Sequence, residues 1–180
     1  MIPFLARRLP KWEAILPVFA VTAFLIYGRS IYVFVFKLSS WLTFLTVGEI
    51  LSTLAYGLVL NLLESLFLLL CFLAVAFILP GRWLRDVFVP SGTWFFLVGI
   101  LSVLLYFRQY ASIGPDYLSA LPLWLLISLG LAVIMAFLGG RIRILSSAAA
   151  WLADRLMVFL YIFVPASLVS MVIVLIRNLI

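Results

Sequence analysis

Asn61 and Glu64 are the residues whose types and spacing point most directly to chemistry. They stand at i and i+3 inside a long apolar run, so a helix places both on one face. Ser65 is adjacent to Glu64 and turned somewhat away from Asn61. A carboxylate in hydrocarbon is costly when ionised and unpaired. Glu64 must therefore face protein, pair with a cation or stay protonated. One reading is a proton or cation site. The other is a polar clamp between helices, its hydrogen bonds worth about 1 kcal/mol each. Arg29 is the natural partner, because it interrupts a second apolar run. It either bridges to Glu64 or extends outward to lipid phosphates.

Much other chemistry is missing. The chain has no histidine and one cysteine, Cys71. That leaves no histidine relay, no histidine metal ligand and no thiolate cluster. A single cysteine forms no intrachain disulfide. The six carboxylates are scattered singly, with no D-x-x-D pair to hold Mg²⁺ against a phosphate. There is no Walker A loop and no G-x-S-x-G elbow. The expectation is a protein without catalytic residues, resident metal or cofactor.

The medium follows from composition. Of 180 residues, 68% are hydrophobic and 10% charged, with a mean hydropathy of +1.36. A soluble domain is about half apolar and about a quarter charged. The solvent for this surface is therefore lipid. A membrane helix needs about 20 apolar residues, so the chain has room for a single helical domain with almost no soluble part. The net charge of +6 sits mostly in short loops. That is the pattern of topology signals in contact with anionic head groups, and no basic run is long enough for a nucleic-acid groove.

The expected fold is an all-α bundle of about five transmembrane helices, at about residues 12–36, 48–79, 93–107, 118–138 and 147–176. The basic start, Arg7, Arg8 and Lys11, resembles a signal peptide, but Tyr27-Gly28-Arg29-Ser30 is no small-residue cleavage site. The first span is thus expected to be uncleaved. Splitting it at Gly28-Arg29-Ser30 gives a six-span alternative with a first piece short for a crossing. Leu38 to Val47 is Ser/Thr-rich and reads as an interfacial connection with Trp41 at head-group level. Pro80-Gly81 and Gly139-Gly140 read as helix stops, and Gly114-Pro115-Asp116 as a turn. Pro17 and Pro165 are expected to bend their helices. The segments 79–85 and 138–143 look alike, which convergent helix ends explain without an inverted repeat.

Basic residues give an orientation. One side receives Arg7, Arg8, Lys11, Arg82, Arg85, Arg141, Arg143 and Arg155, and the other Lys37, Arg108 and Arg177. Cytoplasmic loops carry the excess, which puts the N-terminus in the cytoplasm and the C-terminus outside. Arg82, Trp83, Arg85, Arg141 and Arg143 are candidate head-group contacts. Gly48, Ser52, Thr53 and Gly57, with Ala149 and Ala153, form candidate helix-packing faces of small residues.

Two functional expectations follow. The first is a non-catalytic membrane subunit or scaffold that holds other membrane proteins within the bilayer. The second is a small transporter or channel using Asn61, Glu64 and Arg29, which needs a polar path from both sides. A lipid-handling role is compatible with either. Compactness and the charge asymmetry point to a bacterial inner membrane, with a eukaryotic organelle as the alternative.

Overall fold

The computed structural model describes residues 10–78, 84, 86–110 and 117–179. It is all-helical. Among the described residues the long helices are α1 (Trp12–Phe44), α2 (Val47–Ile78), α3 (Phe88–Tyr110), α4 (Tyr117–Arg141) and α5 (Arg143–Leu179). Each is long and apolar enough to cross a membrane. Their outward faces carry leucine, isoleucine, valine and phenylalanine, for example Leu126, Ile134, Leu63 and Val172. In water such surfaces would associate; in lipid they need no cover.

Several boundaries differ from the sequence expectations. α1 runs unbroken through Gly28-Arg29-Ser30 and on to Phe44, so the six-segment parse does not describe the chain. The stretch expected to be an interfacial connection is mostly the last turns of α1. Only Leu45 and Thr46 separate α1 from α2. A capping box sets the start of α2. The Thr46 amide and hydroxyl both donate to Glu49 Oε2 at 2.8 Å, and the Glu49 amide donates to Thr46 Oγ1 at 3.4 Å.

Gly139-Gly140 does not stop α4, which continues to Arg141. These glycines serve packing. A Cβ on Gly139 would lie 2.2 Å from Trp94 Cδ1, and one on Gly140 2.8 Å from Val87 Cγ2. The start of α3 therefore presses directly on the α4 backbone. Only Ile142 separates α4 from α5. Trp94 Nε1 also donates to the Leu145 carbonyl at 3.1 Å, which pins the start of α5 to α3.

α3 and α4 form the most extensive pair, while α1 and α5 each touch several helices. The registers are antiparallel for α1–α2 and α3–α4, and parallel for α1–α5. Ser30 meets Gly57, Ser102 meets Ser128, and Phe24 meets Phe159. Tyr27 ties three helices together. Its hydroxyl contacts Ser167 Oγ at 2.6 Å and donates to the Leu58 carbonyl at 3.3 Å, while its ring stacks on Phe163 at 4.5 Å. Ala149 and Ala153 are buried, and Ala153 packs with Ala20 and Val21 of α1.

Candidate functional site

The groove that holds the candidate residues begins with a convergence. Gly92 of α3 packs against side chains of both α1 and α2, since a Cβ there would meet Val18 Cγ1 at 2.8 Å and Phe72 Cε1 at 3.0 Å. Around it, Phe72 packs on Phe88, Phe95 and Phe96 with ring centroids 5.4, 5.1 and 5.3 Å apart. Nearer the α1–α2 connection the helices diverge. α3 stays with α4, held by the 2.6 Å contact between the Ser102 and Ser128 hydroxyls and by Trp124 Nε1 donating to the Ser102 carbonyl at 3.2 Å. α2 stays with α1 and α5. α2 shares no substantial interface with α4.

The resulting groove has a volume of about 620 Å³. α1 and α3 form its back, α2 and α4 its flanks, and α5 supplies no lining residue. Along α1 the lining runs from Leu25 to Trp41, and along α2 from Thr53 to Leu68. Sixteen residues of helix correspond to about 24 Å of length. Phe95, Phe96 and Leu68 line its deep end. They abut the aromatic cluster, so the groove is closed toward the α2–α3 end.

Arg29, Asn61 and Glu64 all line this one groove. Asn61 is buried at 7% exposure, Glu64 is exposed along the groove, and Arg29 is exposed. The bridge to Glu64, one of the two alternatives for Arg29, does not form. Ser30 lies level with Gly57, and Glu64 is seven residues further along α2, about 10 Å away along the axis. The Arg29 guanidinium instead sits over the Phe107 ring of α3, 5.7 Å from its centroid. That pairing draws it away from Glu64. Among the described residues, Arg29 has no carboxylate within ion-pair distance, and the Asn61 amide and Glu64 carboxyl have no hydrogen-bond partner. The three groups therefore present unspent polar capacity to the groove.

The other candidates fall in different places. Gly57 lines the groove, with only Ser30 Oγ within reach of a Cβ, at 3.8 Å. Thr53 lines it too, its hydroxyl donating to the Glu49 carbonyl at 2.9 Å. Ser52 donates back to the Gly48 carbonyl at 2.7 Å, and a Cβ on Gly48 would touch nothing. The small-residue face of α2 is thus divided, with Gly57 against α1 and Gly48 open. Arg141 stacks on Phe137 at 4.3 Å, and Arg143 is exposed at the α4–α5 junction. Arg82, Trp83 and Arg85 lie outside the described residues.

Sequence reasoning missed Tyr27, Ser167, Ser102 and Ser128. Each hydroxyl looked unremarkable because its partner is on another helix. Among the described residues no cluster of three or more His, Cys, Asp or Glu side chains is placed to hold a metal. Compared with known proteins, the chain matches no family model, no curated protein and no solved structure.

Proposed function

We propose that this multi-pass membrane protein is a non-catalytic binding protein that holds an amphiphilic molecule in the groove between α2 and α4. The observation that carries this reading is the meeting of Arg29, Asn61 and Glu64, all without hydrogen-bonded partners in the described structure, on one largely apolar groove. Ligand sites are typically concavities of about 300–1,000 Å³, mostly apolar with a few polar groups that orient the ligand. The groove has that size and that lining. Its deep end abuts the Phe72 cluster, which favours binding over conduction from one side to the other.

A photoactivatable zwitterionic phospholipid in proteoliposomes tests the reading. Crosslinks are expected on lining residues such as Leu54, Gly99 and Ser128. Gly57→Leu fills the groove from a position where a Cβ meets only Ser30 Oγ, at 3.8 Å, and should reduce them several-fold. Labelling spread evenly over all lipid-facing helices would overturn the reading. A protein partner found at equal stoichiometry by mass spectrometry in mild detergent, together with absent groove labelling, would favour a membrane-complex subunit instead. Substrate flux through proteoliposomes that is lost in Glu64→Gln would favour a transporter.

The charge asymmetry supports a cytoplasmic N-terminus and an external C-terminus. On this assignment the α1–α2 connection is external. Reporter fusions at the two ends should report opposite compartments.

A further inference from the structure

Resting on the groove reading above, we infer that the natural occupant is an anionic phospholipid, taken from the leaflet at the α1–α2 end. Its phosphate sits on Arg29 and one chain runs down the groove to Phe95 and Phe96. Three observations lead there.

The first is charge. A guanidinium keeps its proton and offers five donors in a fork suited to phosphate oxygens. Arg29 offers them into an apolar groove, and its assigned neighbour is the face of Phe107. A ring face attracts a cation but accepts none of those N–H bonds in the plane of the fork. Among the described residues no carboxylate reaches the guanidinium. A charge held in a medium of low dielectric needs a counter-ion, and a ligand phosphate supplies one.

The second is shape. From Gly57, level with Ser30, the lining runs eleven residues down α2 to Leu68, about 16 Å, and one leaflet of hydrocarbon is about 15 Å thick, half of about 30 Å. The groove is thus long enough for a full acyl chain with its head group above. A free phosphate ion would fill a small part of it and leave the apolar wall bare. That favours lipid as the source of the phosphate.

The third is level. Arg29 lies toward the α1–α2 connection, and Glu64 lies about 10 Å deeper. The groove then closes on the phenylalanine cluster. The apolar run to the phenylalanine cluster therefore lies below Arg29, while the lining continues above it to Trp41. Asn61, about 6 Å below the Gly57 level, faces the ester region of the same lipid, where its amide donates to a carbonyl oxygen.

Native mass spectrometry on the full-length protein in detergent tests this, with phosphatidylglycerol, phosphatidylcholine and inorganic phosphate as probes. One phosphatidylglycerol should bind about ten-fold more tightly than phosphatidylcholine. Arg29→Gln should bring the two to parity, and Arg29→Lys should retain most of the preference. Inorganic phosphate should not displace the lipid. Gly57→Leu should weaken both lipids together. Equal binding of the two lipids by the wild-type protein overturns the proposal and leaves the groove reading standing. A preference unchanged in Arg29→Gln also overturns it, because the selectivity would then lie elsewhere. Displacement by inorganic phosphate would mean a free-anion site. If neither lipid binds, the groove reading fails as well.

Discussion

Tyr27 and Ser167 meet at 2.6 Å in the buried centre of the bundle, although 140 positions separate them in the chain. Both are at 0% exposure, and both reach the Leu58 carbonyl, which Ser167 Oγ approaches at 3.1 Å. One backbone acceptor on α2 thus gathers hydroxyls from α1 and α5. The neighbouring ring stack of Tyr27 on Phe163 adds apolar contact at the same level. Tyr27→Phe keeps the ring and removes the hydroxyl. It should lower stability by about 0.5–1.5 kcal/mol, as a lost hydrogen bond between membrane helices does. The Tyr27→Phe, Ser167→Ala double variant should lose less than the sum of the two, because each single change already breaks the shared contact. Unfolding in mixed micelles measures all three variants, and strict additivity would show that the two hydroxyls act independently.

The glycines of α4 and α2 make a second contrast. Gly139 stands against Trp94, whose indole is itself fixed by Leu145. A methyl group there must move the indole and strain its hydrogen bond. Gly139→Ala is expected to destabilise by about 1–3 kcal/mol, in the range of overpacked cores. Gly48 faces open space. Gly48→Ala should be neutral or stabilise by no more than about 1 kcal/mol through helix propensity. The same unfolding assay compares them. Equal effects would remove the close-packing explanation for Gly139.

That contrast also shows what the sequence could and could not reveal. Five long apolar runs and the shared helix face of Asn61 and Glu64 were legible, because hydropathy and helical spacing are local properties. Gly139-Gly140 was misread as a helix stop because a glycine that ends a helix and one that admits a neighbouring indole look alike in one dimension. The start of α2 had a readable signal, Thr46 followed by Glu49 three residues later, which an amphipathic reading of Leu38 to Val47 obscured. The groove itself was not legible. It exists because α3 follows α4 while α2 follows α1, and that divergence depends on serine and tryptophan contacts between distant segments. The Arg29–Glu64 bridge failed for a similar reason. The register of α1 on α2 sets their offset, and Phe107 of α3 takes the guanidinium.

Thr93 offers a test of a different kind. Its hydroxyl is fully buried and has no hydrogen-bond partner among the described residues. Replacing an unpaired buried hydroxyl by an apolar group of the same shape removes its desolvation cost without leaving a cavity. Thr93→Val should therefore be neutral or stabilise by up to about 1 kcal/mol. A clear loss of stability would reveal that the hydroxyl does find a partner.

Glu64 separates fold from function most cleanly. It is exposed along the groove and makes no hydrogen bond or ion pair with the described residues. No internal contact depends on its charge, so Glu64→Gln should change stability by less than about 0.5 kcal/mol, as substitutions away from packed contacts do. Tyr27→Phe, buried and shared by three helices, should cost more in the same assay. If Glu64 helps position a lipid, Glu64→Gln should still weaken capture of the photoactivatable phospholipid by a few-fold while the unfolding midpoint stays in place. A carboxyl kept in an apolar groove without supporting the fold is then retained for what it binds. A large drop in stability, with binding unchanged in the folded fraction, would instead make Glu64 a structural clamp.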